Sequence, residues 1–513
     1  MTRVDKLAWA TLALVLLLPL FSMAVIPYYD TSEPRYAEIA RLMAQSGDWI
    51  TPWFRPEVPF WGKPPLSFWA QSLSMKMFGF IEFAGRFPSW ICLLLNNAIL
   101  LIGLRSLYGW RIALWAATIY SSCTLVYLSS GAVLTDPFLA LGTNLSLASF
   151  AVVMQGRRLP LTWEEGRQQA RTEAQSKRWL GGWSYLFFIG LAIGLLAKGP
   201  LAMVLISAPI LVWLVCKREN WSLLVSLPWG KGLLLVAALS LPWFILAEIK
   251  TPGFLDYFII GEHFRRFLDP GWAGDMYGSA HKRAYGTIWY YWIQASFPWG
   301  IVILGLAVGA IRSSRLRLTM RSVGDSPLFG YWLASALAAP IFFTFSANIL
   351  WTYLLPALAG FSVLAALIVV QVTERFSFSQ HKLLPIAGIV PTVLVVLSTV
   401  FWIKPDLRKT ERSLVYFVTQ LNEPSVPLLY LSSPPFSAQF YSAGRARGVS
   451  HAELLRAVDC GPPFYLAVPK GQQQDLASIL KQSSRELFSN KRYVLVKVMA
   501  DQTCGQPGQI AAM

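Results

Sequence analysis

The chain has 513 residues, of which 55% are hydrophobic and 14% charged, with 22 tryptophans. Soluble domains carry roughly 25% charged residues, so the mixture excludes a disordered chain, a coiled coil, a collagen and a disulfide scaffold, and leaves a polytopic membrane protein. The net charge of +17, from 44 basic and 27 acidic residues, would suit nucleic acid or an acidic surface, but in a membrane protein the same excess can mark the cytoplasmic side.

Charge-poor apolar runs near the bilayer-crossing length of about 20 residues predict eleven spans. They cover residues 7–27, 87–104, 112–128, 138–154, 180–197, 200–216, 232–247, 287–311, 328–346, 349–372 and 383–403. The first also admits a signal peptide cut after Ser22-Met23-Ala24. Its apolar stretch exceeds the usual run of roughly 7–15 residues, which favours a retained span. With the N-terminus inside, nineteen of the 44 lysines and arginines fall in cytoplasmic segments, and every short connection on that side is basic. The expected orientation is therefore N-terminus in, with the C-terminal segment outside. No nucleic-acid partner is needed to account for the charge.

Two outer loops are too long to be simple connections. In residues 28–86, Leu66, Trp69, Leu73 and Met77 repeat at helical spacing opposite Ser67, Gln71 and Ser74. That pattern predicts a helix lying in the membrane interface. Residues 248–286 are rich in charge and aromatics, and Trp289, Tyr290, Tyr291 and Trp292 follow as an aromatic belt. After residue 403 the composition changes. Strand patterns at 428–431, 464–468 and 493–496 alternate with helix-like stretches near 450–458 and 472–488. The expected domains are thus 1–403, in the membrane, and 404–513, a soluble α/β domain outside it. Cys460 and Cys504 both lie in that domain, where an oxidising compartment could pair them.

The chain lacks a Walker loop, a GxGxxG, an HExxH and a Cys/His metal cluster, and it has only four histidines. The spans carry essentially no ionisable residues, which argues against an ion-coupled transporter. Polar groups gather instead outside the spans, next to apolar helix ends. This layout suits a reaction between lipid-borne substrates.

Five stretches carry that chemistry: Tyr29-Asp30-Thr31-Ser32-Glu33-Pro34-Arg35-Tyr36-Ala37-Glu38, Phe60-Trp61-Gly62-Lys63-Pro64-Pro65, Thr135-Asp136-Pro137, Ala197-Lys198-Gly199-Pro200 and Glu262-His263-Phe264-Arg265-Arg266. In this order they resemble the bacterial lipid carrier-dependent glycosyltransferases of the GT-C class. The resemblance is to the lipid A 4-amino-4-deoxy-L-arabinose transferases and, more distantly, to the protein O-mannosyltransferases. It covers roughly residues 1–300. It implies an all-α polytopic fold of about 11–13 transmembrane helices with periplasmic interfacial helices, followed by the C-terminal α/β domain. It also implies an inner-membrane enzyme that moves a sugar from an undecaprenyl-phosphate donor to lipid A or another glycan acceptor at the periplasmic face. A protein hydroxyl as acceptor and a lipid-linked transporter are the alternative readings.

Carried over by motif, Glu33 is the first catalytic carboxylate, with Asp30 its alternative, and Asp136 is the second. Lys63 and an arginine of Arg265-Arg266 would hold the donor phosphate, with Lys198 as a further cation. In one departure from the pattern, close aminoarabinose transferases place before this lysine a glutamate that holds a metal with a later histidine. Here that position is Gly62, and His263 lacks the partner. No metal and no cofactor is assigned.

The chemistry agrees with these residue types. A departing phosphate is stabilised by fixed cations in a poorly solvated pocket, lysine as a point charge and arginine as a two-pronged donor. A carboxylate can act as base toward an acceptor hydroxyl or orient the acceptor sugar. Each residue also has a plainer reading. Glu33 beside Pro34 suits a first helical turn, Asp30 and Asp136 suit N-caps, and the cations could face lipid headgroups.

Overall fold

The computed structural model describes residues 3–158, 169–225, 227–269, 272–278, 282–326, 328–346, 348–460, 462–472 and 484–499. All eleven predicted runs fall on apolar helices. Among the described residues, seven helices are long and apolar enough to cross a membrane: Asp5–Val25, Glu82–Tyr108, Asp136–Gln155, Leu180–Lys198, Trp229–Lys250, Ala357–Arg375 and Gln380–Ile403. Two further runs are bent pairs, Trp110–Ser122 with Thr124–Ser130 and Thr287–Ser296 with Trp299–Arg312; a third falls on Phe329–Thr344, which is bent by 90° from the preceding helix Ser314–Gly324. The eleventh, Leu201–Cys216, is a shorter apolar helix. The chain is an integral membrane protein.

The 103° bend after Ser296 falls at Phe297-Pro298. Proline lacks the amide hydrogen that would carry the helix through. The run 287–311, read from sequence as one span, is therefore two helices.

By its internal contacts the chain forms two compact units, residues 1–24 with 42–395, and residues 25–41 with 396–513. In the first unit, Asp136–Arg158 is the central helix, and its apolar window is wholly buried. It lies against Gln169–Lys198 through small residues. A Cβ on Gly142 would fall 2.5 Å from the Gly194 nitrogen, and one on Gly190 would fall 2.5 Å from Ser146 Oγ. Only glycine permits this approach of two backbones, the means by which helices pack where lipid offers no hydrophobic drive. Two polar pairs lie in this interior. Asn144 Nδ2 donates to Asn96 Oδ1 (2.7 Å), and Ser121 Oγ donates to Asn97 Oδ1 (2.9 Å).

The long loop after the first span holds a short hairpin, β1 (Trp53–Arg55) with β2 (Val58–Pro59), and then the helix Leu66–Phe78. Leu73 and Met77 are exposed on that helix, whereas Ser67, Gln71 and Ser74 are buried. Half of the expected apolar face thus points outward, while Leu66 and Trp69 are half-buried, and the helix packs on Glu82–Tyr108.

The second unit is built on a five-stranded mixed sheet. Its strands are β3 (Leu428–Leu431), β4 (Arg447–Val449), β5 (Phe464–Pro469), β6 (Ser484–Ser489) and β7 (Tyr493–Val498), in the order β4-β3-β5-β7-β6. β3 runs parallel to β4 and β5, and β7 is antiparallel to β5 and β6. The central strand β5 is apolar throughout because both faces are covered. Phe464, Leu466 and Val468 join one cluster, and Tyr465 and Ala467 the other. The helix-like stretch expected at 472–488 is corrected at its end. Residues 484–489 form edge strand β6, because pairing with β7 overrides a weak local pattern. Residues 473–483 lie outside the described residues, as does the expected Cys460–Cys504 pairing.

Residues 25–41 belong to this unit. The Tyr28 amide donates to the Tyr441 hydroxyl at 2.7 Å, and the Tyr28 ring meets Phe440 edge-on at 4.9 Å. The Asp30 amide donates to the Lys409 carbonyl at 2.9 Å. Glu38 and Arg41 form a two-pronged buried pair, 2.6 Å at each contact. The Arg41 guanidinium lies against Gly444, where φ is +79° and a Cβ would come within 3.0 Å of Nη2. A glycine is needed there on both counts.

Glu411 gives this unit a pH dependence. Burial pushes its carboxyl up to about 7 from the ordinary 4.5, against the pull of Arg492. Between those values the folded state keeps a proton that the unfolded chain releases, so this group's contribution to stability falls as pH rises. The thermal midpoint of the unit is expected to drop between pH 5 and pH 8, measured by scanning calorimetry. Glu411→Gln should flatten that dependence, and an unchanged slope would remove Glu411 as its source.

Candidate active site

The local chain explains how each charged side chain is delivered. Asp136 opens the fully buried central helix, with Pro137 behind it in the first turn. Proline is preorganised for that turn, and the helix N-terminus favours a carboxylate. Lys198 closes Gln169–Lys198, and Gly199 then turns the chain with φ at +65°. A Cβ on Gly199 would lie 2.6 Å from the Phe258 ring. The turn therefore needs glycine both for its backbone conformation and for its packing.

Lys198 Nζ donates to Asp136 Oδ1 at 2.6 Å, and both residues are buried, at 6% and 5% exposure. The same ammonium stands 4.8 Å from the centre of the Tyr353 ring. The Lys198 carbonyl faces His263 Nε2 at 3.0 Å, while Nδ1 faces the Phe258 carbonyl at 2.7 Å. Burial pushes the imidazole below its ordinary value, and the two carbonyls only partly oppose this.

His263 lies on a π-helical segment, Asp256–Arg265, which also carries Glu262. Wide helical turns of this kind recur at functional sites. Glu262 Oε2 accepts from Lys63 Nζ at 2.9 Å, and Oε1 accepts from Arg266 Nη1 at 2.7 Å. Arg266 also pairs with Asp275 at 3.4 Å. Lys63 reaches back to the Gly62 carbonyl as well. Burial pushes the Glu262 carboxyl up, but Lys63 and Arg266 outweigh it and hold the group down at about 2. The two long loops, residues 28–86 and 248–286, are fastened together beside this cluster. The Tyr277 hydroxyl donates to the Pro59 carbonyl (2.7 Å) and accepts from the Trp61 amide (3.0 Å). Trp61 Nε1 donates to Thr251 Oγ1 at 3.1 Å.

Of the residues expected from sequence, Lys63, Arg266, Lys198 and Asp136 therefore lie in one connected network through Glu262 and His263. Arg265 points away. It is exposed and has no ion-pair partner among the described residues. Glu33 and Asp30 belong to the second unit. Glu33 is half-buried in the first turn of Ser32–Ser46. Asp30 is bound to Arg492 at 2.6 Å and to the Ser437 amide at 2.9 Å.

Three site residues were given no role from the sequence. Glu262 carried a usable signal, its spacing of four from Arg266, which pairs charges on a helix. Tyr353, in the turn Trp351–Leu354, had none. Asn348 had none either. Its amide donates to the carbonyls of Arg266 (2.7 Å) and Asp269 (3.0 Å), leaving a buried Oδ1 without a hydrogen-bond partner.

The donor set does not fit a metal. Glu262 is taken by two cations, and both His263 nitrogens face carbonyl oxygens. Among the described residues no group of three or more His, Cys, Asp or Glu could hold one.

Residues 7–258 match the family described as dolichyl-phosphate-mannose-protein mannosyltransferase. An undecaprenyl phosphate-alpha-4-amino-4-deoxy-L-arabinose arabinosyl transferase of Edwardsiella ictaluri is 30% identical over 389 residues, covering 74% of this chain and 62% of that protein. A second such transferase, from Sodalis glossinidius, is 32% identical over 360 residues, covering 69% and 58%. The chain thus spans about three fifths of the length of the curated relatives it matches.

Among solved structures, ArnT from Cupriavidus metallidurans bound to undecaprenyl phosphate superposes with a TM-score of 0.75 at 17% identity, over 97% of this chain and 99% of that one. The archaeal oligosaccharyltransferase AglB from Archaeoglobus fulgidus gives a TM-score of 0.52 at 11% identity, over 93% and 71%. The helical membrane fold is of the GT-C type. Within that class the chain resembles the aminoarabinose transferases.

Proposed function

We propose that the protein is an inner-membrane glycosyltransferase that takes a sugar from an undecaprenyl-phosphate donor, with an aminoarabinose-type sugar and lipid A as the leading pair. The observation that carries this reading is the convergence of Lys63 and Arg266 on one carboxylate. Two cations already held within hydrogen-bonding distance of a single anion are placed to receive a phosphate. As the bond from the sugar's anomeric carbon to the donor phosphate breaks, the acceptor oxygen bonds to that carbon. The charge left on the phosphate is stabilised by Lys63 and Arg266. Asp136, held by Lys198, orients the acceptor or takes its proton, and Glu33 is the second carboxylate in this scheme. The basic short connections support a cytoplasmic N-terminus and a periplasmic C-terminal domain.

The test is purified protein in nanodiscs with undecaprenyl-phosphate-aminoarabinose and lipid A, followed by mass spectrometry. A gain of one pentosamine on lipid A is expected. The family match favours a protein hydroxyl as the alternative acceptor, so a peptide arm runs beside it. Transfer to the peptide alone would replace lipid A as acceptor, and no transfer to either would overturn the reading.

A further inference from the structure

Asp30 was expected to stand near the chemistry, yet its carboxylate is fully engaged inside the second unit. The Ser437 amide donates to Oδ1 at 2.9 Å. The Ser437 hydroxyl and Arg492 Nη2, the latter at 2.6 Å, donate to Oδ2. Arg492 then reaches Glu411 Oε1 through Nε (3.0 Å) and Nη2 (2.7 Å). Glu411 is completely buried, and its other oxygen accepts from Asn490 Nδ2 at 2.8 Å. The Glu411 amide donates to the same Ser437 hydroxyl at 3.1 Å, which closes the circuit.

One arginine from the turn between β6 and β7 thus joins two carboxylates distant in sequence. One precedes the first helix of the C-terminal domain, and the other follows the first membrane span. A guanidinium shared by two nearly buried carboxylates cannot be removed without leaving both short of a donor. Glu33 lies three residues beyond Asp30 on the segment so held.

We propose that Arg492, backed by Glu411, is a positioning residue, and that the C-terminal domain serves transfer by clasping Asp30 and so fixing the backbone that presents Glu33. Asp30 is then a tether and takes no part in proton transfer. The inference rests on the glycosyltransferase reading for its catalytic half. Its structural half, that the clasp immobilises residues 28–36, stands independently.

The test uses the full-length protein in nanodiscs, with hydrogen exchange read by mass spectrometry and steady-state kinetics with the undecaprenyl-phosphate sugar. In Arg492→Gln, exchange across residues 28–36 should rise at least about tenfold and kcat should fall at least about tenfold, with donor KM within about twofold. Arg492→Lys, which keeps the charge, should recover much of kcat. Asp30→Asn leaves the Arg492–Glu411 pair in place and should reproduce both effects even if Arg492→Gln disturbs folding. Unchanged exchange in both variants overturns the clasp. Raised exchange with wild-type kcat overturns the positioning role. A wild-type protein inactive with every donor overturns the transfer reading together with the catalytic half, and the exchange data still decide the structural half.

Discussion

Lys63→Ala is expected to lower sugar transfer by a factor of about 10²–10³, the usual effect of removing one fixed donor from a charge that develops in the transition state. The fold should survive the change, because Glu262 keeps its 2.7 Å contact with Arg266 and is not left as an unpaired buried anion. The loss should appear in kcat, since the phosphate becomes most negative as it leaves. Lys63→Arg is expected to recover only part of the rate, because a planar fork replaces a compact ammonium in a site already holding one guanidinium. The change also moves an acid limb. Glu262 is held down at about 2, below its ordinary 4.5, so its stabilising pair persists above 4.5 and is lost as pH falls toward 2. Without Lys63 that loss should begin at higher pH. Single-turnover assays and acid unfolding curves of the two variants check both statements, and wild-type turnover by Lys63→Ala would remove Lys63 from the site.

The membrane architecture was legible because hydropathy reports directly on the solvent. Each apolar run fell on apolar helix, whole or broken, and the basic connections needed no structure to be seen. Breaks within runs were hidden, since the hydropathy of 287–311 stays high across Phe297-Pro298 while the helix stops there. Of the candidate site, Lys63, Asp136, Lys198 and Arg266 could be named from sequence, because their motifs resemble those of the GT-C glycosyltransferases. Their partnerships could not be read. Lys198 and Asp136 are 62 residues apart, and Lys63 and Glu262 are 199 apart, so only the folded chain brings them together. Asp30 shows the reverse case. Its setting beside Glu33 suggested chemistry, but its partners Ser437 and Arg492 lie more than 400 residues away. Edge strand β6 was missed because its sequence has no period of its own and depends on β7 for pairing.

Asp136→Ala is expected to abolish transfer and also to destabilise the first unit by about 3–5 kcal/mol, the cost of breaking a buried ion pair from one side. The reason is the remaining partner. Lys198 would keep its charge in a buried position with the Tyr353 ring 4.8 Å away, and an aromatic face compensates an ammonium only in part. Loss of activity in this variant therefore has two sources, chemistry and fold. Asp136→Ala combined with Lys198→Met removes both charges and keeps an apolar stem of similar length, so the thermal midpoint should return most of the way toward wild type. Transfer should stay absent, because no carboxylate remains to orient or deprotonate the acceptor. Stability recovered without activity assigns the Asp136 carboxylate to the reaction. Activity recovered along with stability would make the Asp136–Lys198 pair a structural strut and leave Glu33 as the carboxylate that meets the acceptor.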